Sequence, residues 1–195
     1  MTAHIPTLSL SDVETPQFVS AIGEAYEHYG FVIIENHGIP QELIDRFLRQ
    51  FKTFFAWTES EKQRFHLKGG GGARGYTPFG IETAKGSAHF DLKEFWHIGR
   101  ELPEGHPYRH YMADNVWIDS IPGFRETCIE MFDMFDLTGR RLLTAIARVL
   151  KLAPDYFEDK VQLGNSVLRV IHYPPMPPNP AESIRAGAHE DINVI

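Results

Sequence analysis

His189 and Asp191 stand two residues apart in the segment Ala186-Gly187-Ala188-His189-Glu190-Asp191-Ile192-Asn193-Val194-Ile195, which reads as a strand. Side chains alternate along a strand, so these two leave one face while Glu190 leaves the other. A neutral imidazole beside a carboxylate supplies two of the three protein ligands of the two-histidine, one-carboxylate arrangement, which holds Fe(II) and leaves positions open for substrate and oxygen. The pattern is weak by itself. Ten His and ten Asp occur among 195 residues, so about half of one His-x-Asp match is expected by chance, as with any short motif lacking context. A second match does occur, at His89 and Asp91.

Other chemistry is sparse. No Ser-His-Asp constellation is evident, and the single cysteine, Cys128, falls on a predicted helix where packing explains it better than nucleophilic attack. Four consecutive glycines at 69–72 lack the Lys and Ser/Thr of a phosphate loop and open no helix, so they read as a surface loop running from Lys68 to Ser87. Asn36 and His37 suit a turn. His172 alternates to the face opposite Ile171 and Tyr173 and reads as structural, while Asp91, Lys93 and Glu94 look like a supporting charge network.

The elements that must position these residues can be read from period and punctuation. Ile5 to Leu10 is a short opening strand, and Thr15 and Pro16 mark the N-cap and first residue of a helix to Tyr29, ended by Gly30. Phe18, Ile22, Ala25 and Tyr26 form its buried stripe. Phe31 to Ile34 reads as a buried strand. Pro40 opens a second helix lined by Leu43, Ile44, Phe47, Leu48, Phe51 and Phe55, and Thr58 with Glu61 makes a capping box for a short helix to about Phe65. Glu94 to Ile98 is a strand and Pro103 to Tyr111 a proline-broken loop. Ser120 and Pro122 start a long helix whose apolar face holds Phe124, Ile129, Phe132, Phe135, Leu142, Leu143, Ile146 and Leu150, with Gly139 as a weak point. Pro154 to Phe157 makes one more turn, and Val167 to Tyr173 and Ala186 to Ile195 are strands separated by a loop with five prolines between Pro174 and Pro180.

Helices therefore come first and strands last, which makes the fold class α+β. With 43% hydrophobic and 23% charged residues the chain has globular composition and reads as a single domain, helix-rich over 1–160 and strand-rich over 161–195. A net charge of −7 with no basic stripe argues against nucleic acid. The absence of a signal-like N-terminus and of long apolar runs argues against a membrane, and one cysteine fits a reducing cytoplasm. The chain ends inside an apolar strand, so it reads as the N-terminal portion of a longer or truncated domain.

The later His-x-Asp pair is distinguished by its neighbours. Leu168-Arg169-Val170-Ile171-His172-Tyr173-Pro174-Pro175 precedes a proline-rich loop and then His189-Glu190-Asp191. With Gly30-Phe31-Val32-Ile33-Ile34-Glu35-Asn36-His37-Gly38-Ile39, Arg74-Gly75-Tyr76 and Asp91-Leu92-Lys93-Glu94-Phe95, the chain resembles the isopenicillin N synthase-like branch of the iron(II) and 2-oxoglutarate-dependent oxygenases over nearly its whole length.

That resemblance implies a helical N-terminal region on a double-stranded β-helix, or jelly-roll, core, incomplete in this chain. It implies His189 and Asp191 as iron ligands, with His89 placed just before a structural element. Tyr173 matches the tyrosine that hydrogen-bonds the co-substrate carboxylate, although Ile171 stands where plant members often have Asn. Arg74 and Tyr76 occupy a region that often contacts substrate, and an arginine there could hold a carboxylate in a bidentate pair; the other reading is an arginine solvated on a loop. The implied activity consumes O2 and converts 2-oxoglutarate to succinate while a small organic substrate is hydroxylated, desaturated or cyclised. The third ligand, a later histidine, and the Arg-x-Ser pair that binds 2-oxoglutarate do not follow Asp191, so the 195-residue chain is expected to be inactive alone. Isopenicillin N synthase and aminocyclopropane carboxylate oxidase resemble the same family without using 2-oxoglutarate, and a non-catalytic binding protein on the same scaffold is the reading from another class.

Overall fold

A computed structural model of the chain describes residues 4–81, 91–176 and 185–186. Its contacts divide into two compact units, the first running up to Leu43 and resuming over Asp133–Gly164, the second comprising Ile44–Phe132 and the described residues from Asn165 onward.

In the first unit, β1 (Thr7–Ser9) pairs in parallel with β2 (Ile33–Glu35). Between them runs α1 (Pro16–Tyr29), whose start is set by Thr15: its hydroxyl accepts the Phe18 N–H at 3.2 Å. Phe18, Ile22 and Ala25 are buried, as their spacing predicts. The core gathers Leu10, Val13, Phe18 and Ile22 with Ala145, and Val32, Ile34, Leu142 and Val149 pack against it. Phe31 and Ile33 correct the expectation of a strand buried on both faces, being 62% and 50% exposed. A two-stranded ladder packed on one side alternates, so only Val32 and Ile34 reach the core.

The second unit holds most of α2 (Gln41–Phe55), α3 (Glu59–Lys62), β3 (Gly75–Thr77), β4 (Glu94–Gly99), the first third of α4 (Phe124–Val149) and β5 (Val167–His172). The capping box is formed from both sides: Thr58 N–H donates to Glu61 Oε2 at 2.8 Å, and Glu61 N–H to Thr58 Oγ1 at 3.4 Å. The strands make an antiparallel sheet in the order β3-β4-β5, with Tyr76 opposite Trp96 and Trp96 opposite Val170.

Trp96 is fully buried at the centre of the aromatic core, with ring centroids of Phe54 at 4.9 Å, Phe124 at 5.6 Å, Phe65 at 5.9 Å and Phe51 at 6.1 Å. Each such ring stabilises the fold by roughly 1.5–3 kcal/mol on burial. Phe54, absent from the predicted face of α2, is buried there, whereas Leu48 is exposed.

Three further expectations are corrected. The Lys68–Ser87 region contains β3, all three residues of which are buried; a strand this short shows no period in sequence. Gly75 begins it at φ 70°, where a Cβ would lie 2.7 Å from the Phe65 carbonyl oxygen, so the chain can turn into the sheet there only with glycine. The long helix starts at Phe124 rather than Pro122 and runs unbroken through Gly139, but Phe135 and Leu150 of its predicted apolar face are exposed. The last segment, Ala186 to Ile195, lies outside the described residues except for Ala186. Among the described residues no helix is long and apolar enough to cross a membrane.

Candidate functional site

The β3-β4-β5 sheet presents two faces of different chemistry. Period-two alternation puts Glu94, Trp96 and Ile98 on the aromatic side, together with their cross-strand partners Tyr76, Val170 and His172. On this side Glu94 is 3% exposed. Its carboxylate accepts Lys62 Nζ at 2.7 Å, His172 Nδ1 at 2.7 Å and the Tyr76 hydroxyl. Burial alone would raise the Glu94 pKa, but the hydrogen bonds from Lys62, Tyr76 and His172 outweigh it and hold the carboxyl below its ordinary range. Burial, then Glu94 and Glu59, push the Tyr76 phenol strongly up, so it remains a donor. The His172 ring also stacks on Phe55, with centroids 5.0 Å apart and planes at 25°. A carboxylate saturated by three donors holds elements together and has little capacity left for proton transfer.

The opposite face carries Phe95, His97 and Gly99 from β4 and Arg169 and Ile171 from β5. Arg169 Nε donates to His97 Nε2 at 2.6 Å, and His97 Nδ1 lies 2.5 Å from the Gly72 carbonyl oxygen. That pattern assigns the proton to Nδ1 and makes Nε2 the acceptor. The Arg169 guanidinium sits over the Phe95 ring at 4.5 Å.

Arg74 reaches the same face. A Cβ on Gly99 would lie 1.9 Å from Arg74 Cζ, so the guanidinium covers the bare backbone of β4. Arg74 is 2% exposed. It donates to the Ala73 carbonyl at 2.7 Å and to Asn165 Oδ1 at 3.1 Å, while its Nε is buried with no acceptor among the described residues. Burial pulls its pKa down, opposed by the charge of Glu101. Gly99 itself is fastened at both its N–H and its carbonyl by the Asn115 side chain, each at 2.8 Å.

Residues 5–120 match a family model described as the N-terminal region of a non-haem dioxygenase in morphine synthesis. The chain belongs to the 2-oxoglutarate and iron(II)-dependent oxygenase family. A Caulobacter crescentus protein assigned to the 2OG-Fe(II) oxygenase family superposes with a TM-score of 0.85 at 45% identity, over 98% of this chain and 62% of that one. The 2-oxoglutarate-Fe(II) type oxidoreductase hxnY of Emericella nidulans is 29% identical over 92% of this chain and 54% of its own length. Neurospora crassa T7H, in a structure with alpha-KG and thymine, shares the fold with a TM-score of 0.75 at 24% identity, over 96% of this chain and 62% of that one. The chain thus spans about half the length of the curated relatives it matches, 54% and 50% in two cases.

Within this family framework the sequence-derived site residues separate. Tyr173 follows β5 directly and is half-buried; its carbonyl accepts from Arg185 at 2.7 Å, and the Arg185 guanidinium lies 5.7 Å from its ring. His189, Asp191 and His89 lie outside the described residues. Among the described residues no group of three or more His, Cys, Asp or Glu side chains could hold a metal.

Arg74 and Tyr76 are both interior, which corrects the picture of an arginine solvated on a loop. Asp91 pairs with Lys93 at 2.9 Å, but Glu94 turns away to Lys62 and His172, so the expected charge network is two separate ones. Cys128 is fully buried and its thiol pKa is raised by that burial, in keeping with a packing role.

Sequence reasoning missed Lys62 as the partner of Glu94, and the Arg169–His97 pair with Asn165. The alternation of Glu94-Phe95-Trp96-His97-Ile98 was the available signal. It puts one charged residue beside a tryptophan and one histidine on the other side, each of which needs a polar partner.

Proposed function

We propose that this protein is a non-haem iron(II), 2-oxoglutarate-dependent oxygenase that hydroxylates, desaturates or cyclises a small organic substrate. The match of residues 5–120 to the dioxygenase family model carries this reading, and the likeness to the Caulobacter crescentus structure supports it. The β3-β4-β5 sheet is read as part of a jelly-roll core, and the chain as part of one oxygenase domain.

His189 and Asp191 would hold the iron. One imidazole nitrogen and one carboxylate oxygen suit Fe(II), which with bound 2-oxoglutarate would activate O2. Tyr173 would donate its phenolic proton to a co-substrate carboxylate oxygen, orienting that group. Arg74 would contribute positive charge toward substrate, and Tyr76, whose hydroxyl is given to Glu94, would support the sheet from its other side.

The test is iron-dependent formation of succinate from 2-oxoglutarate by the whole protein, with Fe(II) binding measured separately under anaerobic conditions. His189→Ala and Asp191→Ala are each expected to abolish succinate formation. Tyr173→Phe is expected to raise KM for 2-oxoglutarate about tenfold, the value of one hydrogen bond to a charged group. Undiminished succinate formation in either ligand variant overturns the ligand assignment.

A further inference from the structure

A recess of about 330 Å³ opens between the region around α3 and the segment leading into α4, and all of its lining belongs to the second unit. None of the residues proposed for iron, 2-oxoglutarate or substrate lines it. Its apolar walls are Trp57, Phe65 and Trp117, each half-buried. The Trp57 and Phe65 ring centroids lie 6.0 Å apart, and both rings meet the fully buried Phe54 edge-on, at 5.4 and 5.9 Å. That wall is therefore fixed by the core before any ligand arrives. Trp117 precedes the buried Ile118, and the Arg125 guanidinium lies 5.8 Å from its ring, so this indole already accepts positive charge on its face.

Three charged side chains complete the lining, two carboxylates against one guanidinium. Glu61 is committed to the helix cap, its Oε2 accepting the Thr58 N–H at 2.8 Å and the Thr58 hydroxyl at 2.6 Å, and Arg64 offsets its charge from the next turn. Arg125 is itself paired with Glu101 at 3.1 Å. The remaining carboxylate, Asp119, is exposed and has no hydrogen bond or ion pair with another described residue. An exposed aspartate alone is only solvated; beside three aromatic rings it makes a recess that is negative and apolar at once. A hydrated metal ion or a primary ammonium needs oxygen acceptors in place of its water, which rings do not supply. An alkylated nitrogen carries its charge under methyl groups, so it can meet ring faces and a carboxylate together.

We infer that this recess binds a small organic cation with a fully alkylated nitrogen, held over the Trp57 and Trp117 rings and balanced by Asp119. Its volume lies at the lower end of the range of about 300–1,000 Å³ usual for small-molecule sites.

The experiment is calorimetric titration of the whole protein with choline as the probe, at constant ionic strength. Its uncharged isostere, in which a quaternary carbon replaces the nitrogen, and benzoate serve as comparisons. Choline is expected to bind about tenfold or more tighter than the isostere, the scale of a cation over a partly desolvated indole. Trp117→Leu should weaken choline about tenfold, and Trp117→Phe should retain part of the affinity because a ring face remains. Asp119→Asn should weaken it about threefold to fivefold with no change in thermal midpoint, since the side chain is exposed. Should Trp117→Leu fail to fold, Asp119→Asn decides the matter. The inference is overturned if choline does not bind or binds no tighter than its isostere, if benzoate is preferred, which would make Arg64 the recognising group, or if either Asp119→Asn or a folded Trp117→Leu keeps the wild-type affinity.

Discussion

The two faces of the β3-β4-β5 sheet carry similar amounts of charge and treat it in opposite ways. On the aromatic face one carboxylate, Glu94, gathers an ammonium, a phenol and an imidazole, while the Trp96 indole N–H finds no acceptor among the described residues. On the other face Arg74 is equally buried, but among the described residues its hydrogen bonds go to neutral oxygens and its Nε has no acceptor. Polar groups that are saturated hold a structure, whereas polar groups left under-compensated are where a ligand can improve the balance. The difference separates a face whose charges satisfy one another from a face whose buried cation is held by neutral oxygens.

That contrast can be broken most directly at Glu94. Glu94→Ala removes the nearer counter-charge of the buried Lys62, leaving only Glu59 at 3.6 Å, and is expected to cost about 3 kcal/mol, read from urea denaturation midpoints. A loss below about 1 kcal/mol would mean that the aromatic face is less dependent on its charge than its geometry implies. Phe54→Ala, which opens a cavity against Trp96, should cost roughly 3–5 kcal/mol, without altering the acid dependence of stability.

The acid dependence sharpens the comparison further. Glu94 is held below its unfolded value of 4.5, so the folded state binds its proton less readily than the unfolded state. The stability this provides is complete above that unfolded value and is lost as pH falls through the lower folded pKa. The wild-type chain should therefore lose stability steeply on acidification below the ordinary carboxylate range, and Glu94→Gln should flatten that limb while lowering stability at neutral pH. An unchanged acid limb would show that Glu94 gains nothing from its three donors.

A smaller effect is expected at Gly75, where alanine meets both a positive φ and the Phe65 carbonyl; about 1–3 kcal/mol should be lost. The smallest belongs to the other face. Arg169→Gln should change stability by about 1 kcal/mol, the value of its hydrogen bond to His97. A large loss there would erase the distinction between the two faces.

Much of this arrangement was legible in the sequence because its signals are local. Thr15 with Pro16, and Thr58 with Glu61, mark helix starts by hydrogen bonds that span three residues. The stripe of Phe18, Ile22 and Ala25 needs only helical period. Where the reading failed, the determinant was remote. β3 is too short to show a period and exists because β4 pairs with it. Phe31 and Ile33 looked as buried as Val32 and Ile34, since an apolar run does not say how many neighbours its strand will have.

What the sequence determined by itself was the family and the approximate positions of the helices. The tertiary structure decided the rest. It made Glu94 a partner of Lys62, 32 residues away, rather than of Lys93 beside it. It also made Arg74 a buried cation over Gly99 rather than a solvated loop residue. Both outcomes follow from strand register, which sends adjacent side chains to opposite faces and brings distant ones together, and register is set by pairing between segments rather than within any one of them.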